Sequence, residues 1–209
     1  MPIVIAEYVA RWTASPFADV ADPPWRAIQT AEAHLSKVLA KLSTDYQIAG
    51  DVAIHRTAIV EPGAVVKGPP IIGPLCFVAA SAYLRGGVFM DEDCIIGPGA
   101  ELKTTFMFKG SKLAHLNFVG DSILGSAVNL EAGSIVANYR NELDDKVIRI
   151  RFGREVIDTG VEKFGALMGD GTRVGANAVV APGAIFAPNA RVGRLSLVDQ
   201  HPLALPALD

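Results

Sequence analysis

The sequence predicts an all-β chain, a left-handed parallel β-helix of hexapeptide repeats, with a short N-terminal α-helical appendage. Three observations support this prediction. A large apolar side chain recurs every six residues, a small residue follows it four positions later, and Gly and Pro are frequent between them. The 209 residues include 20 Gly and 13 Pro but only 7% aromatic residues. Short strands joined by many turns are typical of a solenoid, whose coils pack only on their neighbours.

Composition excludes several classes of protein. Half of the residues are hydrophobic and 20% are charged, as in a folded globular domain. The net charge of -3, without a basic run, predicts no nucleic-acid-binding or membrane-binding surface. We find no export signal and no apolar run of bilayer length, so we expect a cytoplasmic protein. The two cysteines allow neither a disulfide framework nor a zinc motif.

Residues 1–47 precede the repeat and form the predicted appendage. Apolar residues from Trp25 to Leu42 follow a helical spacing, and Pro23 and Pro24 stand at its start. We expect this helix to pack against or cap the first coil, although a partner-binding stripe is an alternative. The apolar residues within 1–20 predict a short element docked at the same end.

The repeat occupies residues 48–200. Three hexads make a coil of three faces, and Gly-Pro pairs near the corners permit the turns between faces. Cys76 and Cys94 are one coil apart and are expected to stack, reduced, in the core. The inward positions of the repeat are Ile48, Ile54, Val60, Val66, Ile72, Val78, Leu84, Met90, Ile96, Leu102, Phe108, Phe118, Leu124, Leu130, Val136, Met168, Val174, Val180, Phe186, Val192 and Val198.

Two predicted loops interrupt the repeat. The first covers 109–117, where the hexads slip by four residues near Ala114. The second covers 137–167, which is charged and irregular, and we expect it to reach a neighbouring subunit. Loops on a rigid solenoid are where sites are usually built, so both are candidates for function. Residues 201–209 contain no hexad and are expected to form a loose tail.

The segment from Gly110 to Gly125, with its His-Leu-Asn-Phe-Val-Gly-Asp run and the downstream Asn138-Tyr139 pair, supports a more specific interpretation. It resembles the acetyltransferase half of bacterial bifunctional acetyltransferase/uridylyltransferases, which acetylate glucosamine 1-phosphate. The run Lys163-Phe-Gly-Ala-Leu-Met-Gly-Asp-Gly is similar to the C-terminal domains of archaeal-type sugar-1-phosphate nucleotidylyltransferases. Together the resemblance covers roughly residues 22–192.

The resemblance implies an N-acetyltransferase that uses acetyl-CoA and no metal. Its acceptor would be a hexosamine 1-phosphate or a related amino-sugar nucleotide. It also implies a homotrimer with active sites between subunits. The residues before the repeat are too few for a nucleotidylyltransferase domain, so we expect the acetyltransferase part to stand alone.

By position in the motif, His115 matches the family's catalytic histidine, and an imidazole suits a general base. Arg85 and Lys103 match basic residues that hold the sugar phosphate. Neither cysteine is placed as a nucleophile, so the amine is expected to attack the thioester directly.

Other matched positions surround these three. Asn129, Asn138 and Tyr139 match residues that contact or border the acceptor. Ala132 and Ala176 match positions where backbone groups line the acetyl-CoA channel. Ala176 replaces a common serine, so only its backbone N–H is expected to donate there.

Two positions depart from the family pattern, and both lie in the acceptor pocket. Phe118 stands where a tyrosine hydroxyl usually helps to bind the phosphate. Lys146 matches the acceptor-site lysine only if two extra residues are admitted after Tyr139. Without that insertion Asp144 occupies the position, and its carboxylate would repel phosphate.

Two alternatives remain open from the sequence. The γ-type carbonic anhydrases share this fold but need three zinc-binding histidines, whereas His34, His55, His115 and His201 include no closely spaced pair. The second alternative is non-catalytic, either a β-helix scaffold or a regulatory relative that retains sugar-phosphate binding.

Overall fold

A computed structural model describes residues 3–202 and confirms the parallel β-helix that the hexads predict. A 13-stranded sheet bends around one edge of a prism and forms two faces, and a seven-stranded sheet forms the third. We name them faces A, B and C in the order in which the chain meets them. Of the predicted tail, residues 203–209 lie outside the described part of the chain.

The strands are numbered in chain order. Face A contains β2 (Val52–His55), β5 (Ile71–Ile72), β8 (Phe89–Met90), β17 (Ala166–Met168), β20 (Ala184–Phe186) and the second halves of β10 (Glu101–Met107) and β12 (Phe118–Leu124). Face B contains β3 (Ile59–Val60), β6 (Phe77–Val78), β9 (Ile95–Ile96), β11 (Lys112–Leu113), β13 (Asn129–Leu130), β18 (Arg173–Val174) and β21 (Arg191–Val192). Face C contains β4 (Val65–Val66), β7 (Tyr83–Arg85), β14 (Ile135–Val136), β19 (Val179–Val180), β22 (Leu197–Val198) and the first halves of β10 and β12. The thirteenth strand of the large sheet, β1 (Tyr46–Ala49), pairs antiparallel with β2 at the edge of face A. Outside the prism faces lie β15 (Arg149–Phe152) and β16 (Glu155–Asp158).

The interior of the prism consists of inward hexad residues stacked from coil to coil. On face C, for example, Leu84 pairs in register with Leu102, Leu102 with Val119, and Val119 with Val136. All four side chains are fully buried. Both cysteines are free thiols in this interior.

The structure corrects the predicted register at three hexad positions. Ile48 lies in β1, which pairs antiparallel with β2, and its side chain is 49% exposed. Phe108 is buried outside the prism, in the cluster under the N-terminal segment, and Met107 takes the inward position. Phe118 lies on the outer side of face C, and its neighbour Val119 points inward.

The predicted loop at 109–117 is also wrong. This segment contains β11, which pairs in parallel with β9 and β13 as part of face B. The apparent step of four residues in place of six, a loss of two residues, is the sum of two one-residue deletions elsewhere. They fall at the corners between faces C and A, where Leu102 is followed by Met107 and Val119 by Leu124 as inward residues.

The N-terminal segment contains two short 3₁₀ turns (Ile5–Glu7, Ala10–Ala14) and two helices, α1 (Pro24–Gln29) and α2 (Ala31–Leu39). It packs along face A and does not cap the first coil. Phe17 stacks on Phe106 of β10 with ring centroids 4.3 Å apart, and Leu35 is fully buried in the same cluster. The outward residues of face A form an apolar column, which explains this docking: Ala53, Ile71, Phe89, Phe106, Ile123, Leu167 and Ile185.

The second predicted loop, residues 137–167, packs against other parts of the same chain. Strands β15 and β16 form an antiparallel hairpin, and Ile148 and Ile150 are fully buried beside the N-terminal segment. The buried Arg140 anchors its start through two hydrogen bonds to Asp199 and one to the Pro182 carbonyl. Face A is therefore covered by the chain itself, whereas the outer sides of faces B and C remain open. Between residues 3 and 202, no helix is long and apolar enough to span a bilayer.

Candidate active site

The corner between faces C and A carries a buried charged cluster. The Lys103 ammonium donates to both carboxylate oxygens of Asp121, at 2.7 and 2.6 Å, and their side chains are only 18% and 8% exposed. The Asn138 amide donates to the same carboxylate. Three consecutive coils thus contribute one polar side chain each to this cluster, which we call the polar corner.

The two one-residue deletions create the polar corner. They leave Thr104 and Asp121 in the left-handed backbone region, with φ of 44° and 46°, a conformation that costs such residues roughly 1 kcal/mol. Gly120 leaves the space that Asn138 needs, because a Cβ at this position would overlap the Asn138 side chain. The Gly165 N–H donates to the Asp121 carbonyl and holds the turn from the other side.

The predicted phosphate-binding cations are both ion-paired. Lys103 is neutralised by Asp121, and Arg85 donates to Glu101 at 2.7 Å. The Arg85–Glu101 side chains are 39% and 30% exposed, so this second pair is weak and easily exchanged for another anion. Each predicted phosphate-binding cation therefore has a carboxylate partner within this chain.

His115 lies at the opposite edge of face C, at the corner with face B. Its side chain is exposed, and its carbonyl accepts a hydrogen bond of 2.9 Å from Gly133. One coil further on, the Ala132 carbonyl accepts from Asn177 at 3.0 Å. The predicted base and the predicted cofactor-lining residues Ala132 and Ala176 therefore occupy successive levels of one corner column.

The turn that carries His115 is fixed by a buried amide. Asn117 is 2% exposed and donates to the Glu131 carbonyl at 2.7 Å and to the Ser134 hydroxyl at 2.9 Å. These bonds tie the His115 turn to the turn on the next coil. The side chain of His115 can therefore project from a rigid backbone.

The backbone N–H of Ala176 is not free to bind a ligand. It donates to the Glu131 carboxylate at 2.9 Å, and Arg194 donates to the other carboxylate oxygen at 2.9 Å. The hydrogen bond from Ala176, followed by that from Arg194, holds the pKa of the Glu131 carboxyl below its usual value. The donor that the resemblance assigns to acetyl-CoA is thus occupied within this chain.

Of the remaining predicted acceptor residues, Phe118 borders the polar corner, because a Cβ on Gly120 would lie 2.9 Å from its ring and 2.7 Å from the Asn138 amide. The structure places Asn129 and Lys146 elsewhere. Phe118 is half-buried on face C, and Asn129 is exposed on face B. Lys146 donates to the carbonyls of Asn141 and Leu143 and lies 5.5 Å from the centroid of the Tyr139 ring. The Lys146 ammonium is therefore bonded within its own loop.

The other residue considered for the acceptor-site lysine position, Asp144, is exposed at the surface of the same loop. Neither candidate forms part of the buried cluster at the polar corner. The structure therefore brings neither Lys146 nor Asp144 to the predicted phosphate-binding cations.

A cleft of about 830 Å³ adjoins the polar corner. Thr104 and Asp121 lie on one side of it, helices α1 and α2 on another, and residues 160–163 close the third. His115 is separated from this cleft by the width of face C. One subunit alone therefore presents the predicted base and the polar corner at two different edges of the prism.

Sequence reasoning missed the anionic partners of the site. Asp121 belongs to the recognised Val-Gly-Asp run, and Glu131 to the segment after Asn129, yet neither was assigned a role. Both side chains bond to residues on other coils, and that pairing requires the coil register. Among residues 3–202, no group of three or more His, Cys, Asp or Glu side chains is placed to hold a metal ion.

The prism and its six-residue repeat define a class of protein by fold, the hexapeptide-repeat parallel β-helices. No family model matches the chain. Among solved structures, a perosamine N-acetyltransferase from Caulobacter crescentus in complex with CoA and GDP-perosamine has a TM-score of 0.39 and 17% identity, covering 75% of this chain and 60% of that one. A hexapeptide transferase family protein from Anaplasma phagocytophilum has a TM-score of 0.37 and 18% identity, covering 70% and 72%.

Curated relatives identify the family. The bifunctional protein GlmU of Methanococcus vannielii is 32% identical over 181 residues, covering 85% of this chain and 43% of that protein. The bifunctional sugar-1-phosphate nucleotidylyltransferase/acetyltransferase of Sulfurisphaera tokodaii is 30% identical over 195 residues, covering 91% and 47%. The chain belongs to this family of sugar-1-phosphate nucleotidylyltransferase/acetyltransferases, and it spans about half the length of these relatives, matching their acetyltransferase part.

Proposed function

We propose that the chain is an acetyl-CoA-dependent N-acetyltransferase whose acceptor is an amino sugar carrying a phosphate or a nucleotide. The observation that carries the proposal is the corner column of His115, Ala132 and Ala176. It presents an exposed imidazole on a turn fixed by Asn117, in one column with two alanines on the next coils.

In the proposed reaction the acceptor amine attacks the carbonyl carbon of the thioester. The new C–N bond forms as the C–S bond breaks, and coenzyme A leaves as the thiolate. His115 accepts the proton that the amine loses and returns it to the thiolate. A positioned imidazole of this kind contributes about 10²–10⁴-fold to the rate.

We propose further that the working unit is a homotrimer. The N-terminal segment and the hairpin cover face A, so only faces B and C are open to a neighbour. Face C exposes Val65, Ile135, Val179 and Leu197, an apolar set that subunit contact would bury. A neighbour packed against face C would bring its own His115 towards the polar corner, which removes the separation found within one subunit.

The test is release of free thiol from acetyl-CoA with glucosamine 1-phosphate, galactosamine 1-phosphate and UDP-glucosamine as acceptors. The wild type should turn over at least one of them. His115→Ala should lower kcat by a factor of about 100 or more, with an unchanged melting temperature because the side chain is exposed. His55→Ala is the matched control and should retain full activity.

Light scattering should give a trimer mass. A monomer with full activity would contradict the proposed shared site. Absence of turnover with every acceptor, together with absence of CoA binding, would leave the non-catalytic scaffold as the correct interpretation.

A further inference from the structure

The three cations at the corner between faces C and A differ in how far they are already neutralised. Lys67, Arg85 and Lys103 occupy equivalent positions on three successive coils, since Val66 pairs with Leu84 and Leu84 with Leu102. Lys103 is bonded to both oxygens of the buried Asp121 carboxylate. The three coils therefore differ in their capacity to bind an added anion at this edge.

Arg85 is neutralised less completely than Lys103. Its partner is the half-exposed Glu101, through a single bond of 2.7 Å. An exposed ion pair of this kind contributes about 0–1 kcal/mol and is readily exchanged for an incoming phosphate.

Lys67 is the free cation of the series. It is exposed and forms no ion pair with any residue between 3 and 202. Its ammonium lies 5.5 Å from the centroid of the Tyr83 ring, and the Arg85 guanidinium lies 6.0 Å from the same ring. Contacts between a cation and an aromatic ring hold both groups at one edge without neutralising them.

A phosphate monoester at Lys103 would meet an unfavourable environment. It would approach the Asp121 carboxylate, which is already bonded to Lys103, and separating that pair would leave Asp121 buried without its partner charge. Phosphate binding is favoured one and two coils away, at Arg85 and Lys67. Two coils correspond to about 10 Å along the prism axis, a distance that a diphosphate and the sugar attached to it can span.

We propose that the acceptor is a nucleotide-linked amino sugar, with its sugar ring at the polar corner and its diphosphate along Arg85 and Lys67. This inference rests on the proposed acetyltransferase function and narrows its substrate class. The Lys103–Asp121 ion pair, whose charges cancel, and the uncharged Asn138 amide offer donors and acceptors to sugar hydroxyls. The nucleoside would extend towards the first coils of the prism.

The first test compares kcat/KM for UDP-glucosamine and glucosamine 1-phosphate at one concentration of acetyl-CoA. We expect at least a tenfold preference of the wild type for UDP-glucosamine. Lys67→Ala should lower kcat/KM for UDP-glucosamine about tenfold and leave the value for glucosamine 1-phosphate unchanged. Lys41→Ala removes an exposed lysine of the N-terminal segment and should change neither value.

Asp121→Asn supplies the converse test, because it frees the Lys103 charge. It should raise kcat/KM for glucosamine 1-phosphate. If this variant does not fold, Glu101→Gln frees Arg85 at an exposed position and should lower KM for UDP-glucosamine. A wild type that prefers glucosamine 1-phosphate would overturn the inference and leave the acetyltransferase proposal intact.

Calorimetric titration with UDP alone tests the diphosphate site separately from the acetyltransferase proposal. We expect UDP to bind, and Lys67→Ala to weaken it about tenfold, with no change in Lys41→Ala. UDP binding that is indifferent to Lys67 would overturn the diphosphate assignment. Lys67-dependent UDP binding without turnover of any acceptor would refute acetyl transfer and support the nucleotide site.

Discussion

Replacing Phe106 by Ala tests the docking of the N-terminal segment on face A. The Phe106 ring is fully buried and stacks on Phe17, with centroids 4.3 Å apart and an interplanar angle of 8°. Removal of a buried phenyl ring costs about 3–5 kcal/mol, and an aromatic pair contributes about 0.5–1.5 kcal/mol beyond its buried area. We therefore expect Phe106→Ala to destabilise docking by about 4 kcal/mol.

Tryptophan fluorescence during urea unfolding is the appropriate assay. The two tryptophans of the sequence, Trp12 and Trp25, both lie in the docked segment and are 3% and 7% exposed. Their transition should move to lower urea, whereas the far-ultraviolet circular dichroism of the prism should change less, because coils stabilise one another locally.

A double-mutant cycle provides the control. Phe17→Ala and Phe106→Ala should couple by about 1 kcal/mol or more, whereas Phe17→Ala and Leu130→Ala, from two separate clusters, should add to within about 0.5 kcal/mol. A loss below about 1 kcal/mol in Phe106→Ala, or additivity of the two phenylalanines, would refute the docking argument.

Further predictions concern the segment 137–167 and the turns between the faces of the prism. Arg140→Met should destabilise the chain by about 3 kcal/mol, because it leaves Asp199 without its buried partner. Burial raises the pKa of Asp199, but the Arg140 hydrogen bond and charge outweigh it, and the pKa is lowered from 3.8. The pair therefore stabilises the fold above about pH 4 and ceases to do so as the pH falls through the lowered pKa, so acid titration of Arg140→Met should show a flatter dependence there. Gly97→Ala should abolish soluble expression, because its Cβ would overlap the Ala114 carbonyl, whereas Gly110→Ala has open space and should cost about 1 kcal/mol, measured by thermal unfolding.

The sequence was sufficient for the fold but ambiguous about its register. Two single-residue deletions and one unit shortened from six residues to four give the same phase at Leu124, so the sequence pattern does not distinguish them. The structure places the deletions after Leu102 and Val119 because the strands on both sides remain paired. The actual deletions form the corners that hold Thr104 and Asp121.

The motif identified the candidate residues of the site, but the coil register determined their partners. Lys103 and Asp121 are 18 residues apart, and Ala176 and Glu131 are 45 apart. The repeat places Lys103 and Asp121 on neighbouring coils, but the one-residue deletions set Lys103 in register with Gly120 and put Asp121 at the corner. The repeat gives no register across residues 137–167, which separate Glu131 from Ala176. The role of His115 as a base remains a prediction.

The sequence by itself determined the prism and the order of its coils, because side chains with a six-residue apolar period are buried efficiently in only one way. It also determined the family, because the motif is specific. Only the tertiary structure decided which face the N-terminal segment covers and which cations remain free. Docking depends on the apolar column that Phe89, Phe106 and Ile123 form together. Lys103 and Arg85 are neutralised by the carboxylates of Asp121 and Glu101. The stacking of the coils brings these carboxylates within hydrogen-bonding distance, and this proximity exists only in the folded chain.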